Sequence, residues 1–134
     1  LSRALGIQDR VRMPGWVSNP QDYIAAGEVF CVPSREEPLG NVFFEGWQTG
    51  VPVVSTRSEG PSWAATHGKD ALLVDIDDEA ALAEAMTALA TDGDLAARLV
   101  AAARQTLAQR FSKAAIVDQY LALFDRIAAE KPSV

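Results

Sequence analysis

The sequence predicts an α/β layered domain with a parallel sheet, followed by helices at its C-terminal end. The first two thirds of the chain alternate short apolar strands with short helices, which are bounded by glycine and proline. From Asp78 onward the chain is alanine-rich and helical. Strands separated by helices pair in parallel, and 134 residues suit one domain with its own core.

Short runs bounded by turn residues predict the strands, at residues 11–13, 29–32, 51–55 and 71–74. Helical segments are predicted at residues 1–5, 21–26, 41–49, 62–66, 79–90, 95–109 and 112–129. Asn19 followed by Pro20 is typical of a helix start, Gly50 of a helix end, and Ser112 of a capping residue. Ligands of parallel sheets bind outside the carboxyl ends of the strands. This predicts a site formed by loops 15–18, 34–41 and 55–62.

Charge and composition argue against several classes of protein. The net charge of -6 and the lack of a basic cluster disfavour a nucleic-acid surface. No apolar run approaches the roughly 20 residues of a membrane-spanning helix. Cys31 and His67 are the only residues of their types, so neither an internal disulfide nor a Cys/His zinc site is expected. Cys31 is expected to pack in the core and His67 to lie in a turn. Asp75, Asp77 and Asp78 lack calcium-loop spacing and more closely fit a helix cap.

The loop after the second predicted strand carries the chemistry. It contains two carboxylates, and Gly40 then opens a helix. The N–H groups at Gly40, Asn41 and Val42 are expected to face a ligand, with the positive end of the helix dipole behind them. We therefore predict a cradle for a diphosphate, which needs neither a metal nor a lysine to work in part.

Glu45 lies on the same helix, about 7.5 Å beyond Gly40 along its axis. A carboxylate only accepts hydrogen bonds, so Glu45 suits the ribose diol beside a diphosphate, and Glu37 would meet the group on the other phosphate. A nucleotide-sugar fits this arrangement. Glu36 is the rival of Glu37, and only spacing separates them. Arg35 would contact either a phosphate or, as a salt bridge, Glu36 or the helix.

The spacing Glu37-x7-Glu45, followed by residues 50–56, resembles the signature of the retaining glycosyltransferases of family 4. Matching stretches follow in order at residues 15–17, 29–34, 58–62, 71–74 and 111–124. The resemblance implies a Rossmann-like lobe of a two-lobed GT-B enzyme. Residues 1–134 would be its C-terminal, nucleotide-sugar-binding lobe. Because the first residue is Leu1 and not Met, the start of this lobe and the N-terminal lobe are expected to be missing.

The resemblance also implies residue roles. Glu37, the catalytic candidate, would bind the transferred sugar, and Glu45 the ribose. The backbone of the remaining donor-binding residues would hold the sugar and diphosphate (Leu39, Gly40, Asn41, Val42) and the base (Trp16, Val17). No metal or cofactor is implied. The acceptor would be an unspecified sugar or lipid-linked molecule, and the resemblance suggests synthesis of cell-envelope polysaccharide or lipopolysaccharide. The enzyme would be cytoplasmic, at the inner face of the membrane, and this fragment inactive alone, since the family's Arg and Lys precede Leu1.

Two departures from the family pattern stand out. Trp63 occupies a position where glutamate is common, and Gly46 and Gln48 replace small alanines, a change expected to matter little to the fold. Two alternatives remain open: another GT-B-like enzyme, such as a nucleotide-sugar epimerase or a phosphorylase, and a non-catalytic module that binds nucleotide or phosphate. Dinucleotide-binding, P-loop and G-x-S-x-G motifs do not occur in the sequence.

Overall fold

The computed structural model describes residues 1–130, so the last four residues of the predicted domain lie outside it. Three parallel strands form the sheet in chain order: β1 (Phe30–Val32), β2 (Val53–Thr56) and β3 (Leu72–Val74). In register, Cys31 is opposite Val54, and Ser55 is opposite Leu73. The prediction of an α/β fold with a parallel sheet is confirmed.

Six α-helices accompany the sheet in residues 1–130: α1 (Pro20–Ala25), α2 (Asn41–Thr49), α3 (Glu59–Ala64), α4 (Glu79–Thr91), α5 (Gly93–Thr106) and α6 (Lys113–Ala129). A short 3₁₀ helix occupies Gln8–Arg10, and a π-helical turn, Leu107–Phe111, joins α5 to α6. Most ends agree with the sequence prediction within a few residues. The third helix starts earlier than predicted, at Glu59, because Pro61 is tolerated in a first helical turn.

The two faces of the sheet pack against different helices, because neighbouring residues of a strand point to opposite faces. Val53 packs in a cluster with Phe43 and Trp47 of α2. Val54 packs on the other side, with Leu89 of α4 and Leu99 of α5. The sheet is therefore covered on both sides, as expected for continuous apolar strands.

A buried polar network ties β3 to the helices around it. The Asp70 carboxylate accepts from the Thr66 N–H at 2.7 Å and from Thr106 Oγ at 2.9 Å. Its main-chain oxygen accepts from Trp47 Nε1 at 3.1 Å. Trp47 is thus a packing residue, as predicted, and Asp70 ties α2 and α5 to the loop that joins α3 to β3.

Two predictions near the N-terminus are wrong. Residues 1–5 form hydrogen-bonded turns and not the end of a regular helix, although the Leu5 N–H does donate to the Leu1 oxygen. Residues 11–13 form no strand, and Met13 is 89% exposed. A strand needs a neighbour for its hydrogen bonds, and residues 1–130 provide none for this segment.

Helix ends follow the sequence signals closely. Gly50 ends α2 in the left-handed conformation, with φ 78°. The side chains of Asp78 and Ser112 cap α4 and α6, as predicted for both residues. Asn19 precedes α1 but does not cap it, because its amide donates instead to the Asp22 carboxylate.

Gly46 matters more to the fold than expected from sequence. A Cβ at this position would lie 2.5 Å from Phe30 Cδ1 and 2.9 Å from Val53 Cγ2. Helix α2 therefore approaches β1 and β2 so closely that no side chain fits between them. The expectation that this departure is unimportant is wrong, because the large Phe30 ring occupies the space a methyl group would need.

Candidate functional site

Gly40 forms the turn between the β1–α2 loop and helix α2. Its backbone is left-handed, with φ 79° and ψ 47°, a conformation that disfavours any residue with a Cβ. A Cβ there would also lie 3.3 Å from Phe43 Cβ and 3.5 Å from Pro61 Cδ. The left-handed conformation therefore favours glycine where the sequence predicts a turn, and the contact with Phe43 adds only mild crowding.

Glu37 closes this turn with its own side chain. Its Oε1 accepts a hydrogen bond from the Gly40 N–H at 3.1 Å. The Gly40 N–H is therefore already satisfied and does not belong to a free cradle, which differs from the sequence prediction. Glu37 is half-buried whereas Glu36 is exposed, so Glu37 is the better positioned of the two rival carboxylates.

The first turn of α2 leaves donors available. In residues 1–130, neither the Asn41 N–H nor the Val42 N–H has an acceptor. Both belong to the group of amides that a helix cannot satisfy internally, at the positive end of its dipole. These are the free donors that the predicted diphosphate site requires at Asn41 and Val42.

Helix α3 supports the loop from its other side. The Gly60 N–H donates to the Glu37 carbonyl oxygen at 2.7 Å. A Cβ on Gly60 would lie 2.5 Å from both the carbonyl carbon and the oxygen of Leu39. Gly60 thus lets one backbone lie directly on another and sets the position of residues 37–39. In the sequence, Gly60 stands out only as part of the matching stretch 58–62, and the pattern does not predict this contact.

The two glutamates line different cavities. Glu45 and Asn41 line an open cavity of about 580 Å³, together with Leu39. Glu37 lines a second cavity of about 370 Å³, together with Pro38. Because Pro38 and Leu39 are neighbours in the chain, the loop itself separates the two cavities. We call these the Glu45 cavity and the Glu37 cavity.

An aromatic wall borders the Glu45 cavity, formed by Phe44, Trp63 and Phe111. The Trp63 and Phe111 rings meet edge to face, with their centroids 5.4 Å apart. The Arg110 guanidinium lies over both rings and donates to the Ala64 carbonyl at 2.9 Å. Sequence reasoning noted Trp63 only as a departure from the family pattern. Its partners come from the π-helical turn, which the sequence did not predict.

Trp16 and Val17 lie apart from the two glutamates. Trp16 is 89% exposed, and neither residue lines the Glu45 cavity or the Glu37 cavity. The loop that contains them follows no strand, because residues 11–13 are irregular. The structure therefore does not bring the predicted base-binding residues together with the rest of the candidate site.

Two exposed ion pairs lie at the carboxyl edge of the sheet. Arg35 pairs with Asp77 at 2.7 Å, and Arg57 pairs with Asp75 at 3.2 Å. Exposed pairs of this kind contribute little to stability, but they orient the two guanidinium groups. The partner of Arg35 is neither Glu36 nor the helix, the two that the sequence suggested.

Other polar candidates have structural roles. His67 Nδ1 accepts from the Leu73 N–H at 2.9 Å, which agrees with a turn role. Cys31 packs beside Val54, and burial raises the pKa of its thiol above the usual range. Within the described part of the chain, no three His, Cys, Asp or Glu side chains could jointly hold a metal ion. None of the helices in that part is long and apolar enough to cross a membrane.

Comparison with known proteins gives clear relatives. The lipopolysaccharide core biosynthesis glycosyltransferase LpsD of Rhizobium meliloti (strain 1021) is 49% identical over 131 residues, which are 98% of this chain and 38% of that protein. LpsE of the same organism is 44% identical over 132 residues, with the same coverage of 98% and 38%. The chain thus spans little more than a third of the length of these curated relatives.

Solved structures share the fold. Anabaena Alr3699/HepE in complex with UDP superposes with a TM-score of 0.85 at 25% identity, over 93% of this chain and 35% of that one. Sucrose-phosphate synthase of Thermosynechococcus elongatus gives a TM-score of 0.82 at 28% identity, over 97% and 33%. These neighbours are GT-B glycosyltransferases, which agrees with the resemblance drawn from the sequence.

A match to a family model shows which protein family the chain belongs to. The model described as Glycosyl transferases group 1 matches residues 1–92, which is more than half of the chain. The match includes the whole of the β1–α2 loop, helix α2 and the Gly60 contact described above. The chain belongs to the glycosyl transferases group 1 family.

Proposed function

We propose that the whole protein is a retaining glycosyltransferase and that residues 1–134 are the lobe that binds its nucleoside-diphosphate sugar. One observation carries the proposal: free amides at the start of α2 lie between two glutamates, one in each cavity. A diphosphate at those amides would direct its nucleoside into one cavity and its sugar into the other. The family assignment and the relatives' names support this reading.

The residue roles follow the order of groups in such a donor. The Asn41 and Val42 amides would bind the diphosphate, together with the backbone at Leu39. Glu45 would accept hydrogen bonds from the ribose hydroxyls, and Glu37 from the sugar hydroxyls. Glu37 can do so with one oxygen while the other holds the Gly40 N–H.

Trp16 and Val17 would bind the base only if loop 15–18 lies closer to α2 in the whole protein. Such a change is compatible with the exposure of Trp16. A substantial minority of complexes rearrange a loop by more than about 2 Å on binding.

Catalysis would consist mainly of positioning and electrostatic stabilisation. The bond between the sugar's anomeric carbon and the diphosphate breaks, and the diphosphate takes the electron pair. An acceptor hydroxyl forms the new bond on the same face, and its proton passes to the departing diphosphate. The α2 amides would stabilise the charge that develops on the leaving group.

Our proposal for the acceptor rests on the names of the relatives. Since LpsD and LpsE are lipopolysaccharide core biosynthesis glycosyltransferases, we propose a sugar or lipid-linked sugar of the cell envelope as the acceptor. The enzyme would act on the cytoplasmic side, at the inner face of the membrane. The diphosphate would be held by amides with no metal or cofactor, and residues 1–134 alone would not turn over the donor.

Two substitutions test the site. A hydrogen bond to a charged group contributes about 1.5–3 kcal/mol, or roughly ten- to a hundredfold in affinity. Glu45→Ala should weaken nucleoside diphosphate and nucleotide-sugar alike, because both contain the ribose. Glu37→Ala should leave the diphosphate nearly unaffected and reduce binding and turnover of the nucleotide-sugar. Titration calorimetry on the full-length protein measures both patterns.

Other outcomes would favour the alternatives. Binding without transfer to any acceptor would indicate a non-catalytic nucleotide-binding module. Conversion of the nucleotide-sugar to an isomer, with no diphosphate released, would indicate an epimerase. If both variants bind both ligands like the unmodified protein, the donor site is not at α2.

A further inference from the structure

Ser58 lies at the start of α3 with its hydroxyl unused. It occupies the N-cap position in extended conformation, with φ -68° and ψ 167°, where serine usually accepts from a helix amide. Here the side chain makes no capping hydrogen bond. Ser58 is only 3% exposed, and its Oγ is buried with no partner in residues 1–130. Buried polar atoms are nearly always paired, so this hydroxyl needs an explanation.

The unused hydroxyl belongs to a residue of the Glu37 cavity. Ser58 lines that cavity together with Glu37 and Arg57. Its volume of about 370 Å³ lies within the range of small-molecule sites. A ligand group that enters this cavity would therefore lie beside both Glu37 and Ser58.

The charges around the cavity select the chemistry of the ligand. Its lining carries three carboxylates, Glu36, Glu37 and Glu59, and two guanidiniums, Arg35 and Arg57. Both guanidiniums are already paired with aspartates of the β3–α4 loop. The excess of carboxylates repels an anionic group and accepts hydrogen bonds from hydroxyls. The excess of carboxylates therefore favours an uncharged polyhydroxyl ligand over a carboxylated sugar.

We propose that Ser58 Oγ binds a hydroxyl of the donor's sugar, opposite Glu37, and that the charges of the Glu37 cavity favour a sugar without a carboxylate. The proposal rests on the proposed function and extends it in two ways. It narrows the donor to nucleotide-sugars without a carboxylate on the sugar. It also assigns a specificity-determining residue on α3, outside the Glu37-x7-Glu45 motif.

The test uses the full-length protein and titration calorimetry with UDP-glucose, GDP-mannose and ADP-glucose, each beside its free diphosphate. UDP-glucuronate serves as the carboxylated counterpart of UDP-glucose. Ser58→Ala should weaken the best-bound neutral nucleotide-sugar about three- to tenfold and leave its diphosphate unchanged. Thr66→Ala, which removes an exposed hydroxyl just after the same helix, is the control and should change neither.

The variant should fold, because it removes a buried hydroxyl that has no partner. An unchanged or raised unfolding midpoint would verify this. The subsite is refuted if Ser58→Ala leaves the ratio of nucleotide-sugar to diphosphate affinity unchanged, or if UDP-glucuronate binds as tightly as UDP-glucose. If diphosphate still binds and Glu45→Ala weakens it, the proposed function survives that refutation. If no diphosphate and no nucleotide-sugar binds, the proposed function and the subsite both fail.

Discussion

Replacing Gly60 with alanine tests whether α3 positions the candidate site. The new Cβ would lie 2.5 Å from the Leu39 carbonyl carbon and oxygen and 2.8 Å from the Glu37 oxygen. Ordinary contacts between carbon atoms begin near 3.5 Å, so α3 and the loop must separate by about 1 Å. That movement strains the 2.7 Å hydrogen bond from the Gly60 N–H to Glu37.

The expected change in the free energy of unfolding of Gly60→Ala is the sum of two unfavourable contributions and one favourable contribution. Overpacking costs about 1–3 kcal/mol, and a lost hydrogen bond about 0.5–1.5 kcal/mol. Alanine recovers up to about 1 kcal/mol of helix propensity. We expect a net loss of about 1–3 kcal/mol in the free energy of unfolding. A displacement of the loop by 1 Å should also reduce turnover up to about a hundredfold.

Urea unfolding and donor turnover of the full-length protein measure the two effects. Gly93→Ala is the matched control, because Gly93 also lies in the first turn of a helix and a Cβ there meets nothing within 4 Å. The control should be neutral or slightly stabilising. If Gly60→Ala behaves like Gly93→Ala in both assays, α3 does not position the loop, and the reasoning from close backbone contact is refuted.

Three further predictions concern packing, the thiol and metal dependence. Gly46→Ala should lower the free energy of unfolding by about 1–3 kcal/mol, because its Cβ collides with Phe30. Adding Phe30→Leu to that variant should recover part of the loss. If urea unfolding shows that the effects of the two substitutions simply add, the two residues do not compete for the same space. Since burial raises the pKa of the Cys31 thiol, iodoacetamide at pH 8 should alkylate it more slowly in the folded than in the urea-unfolded protein, and equal rates would count against its burial. Turnover by the full-length protein should survive excess EDTA, and a strict need for magnesium or manganese would contradict an amide-based cradle.

Local signals predicted the helices best. The bounds of α2 agree with the prediction because Gly40 and Gly50, both left-handed, mark its two ends in the sequence itself. The prediction of a strand at residues 11–13 was wrong because a strand, unlike a helix end, is not determined by local signals. A strand depends on a neighbour that can be distant in the chain, and its composition alone cannot supply one.

For the candidate site, the sequence indicated a segment but not how the parts of that segment contact each other. Gly40 was predictable because a turn must precede the helix. The hydrogen bond from the Gly40 N–H to Glu37 and the contact of Gly60 with Leu39 were not, because they depend on how loops and helices pack. The unpaired hydroxyl of Ser58 is likewise visible only once burial and partners are known.

The most direct test of the account is a crystal structure of the full-length protein with UDP or another nucleoside diphosphate that it binds. We expect phosphate oxygens within about 3.2 Å of the Asn41 and Val42 nitrogens. It also predicts both ribose hydroxyls on the Glu45 carboxylate, with the Gly40 N–H still on Glu37. A diphosphate bound away from the start of α2, with Glu45 free of the ribose, would contradict the central claim.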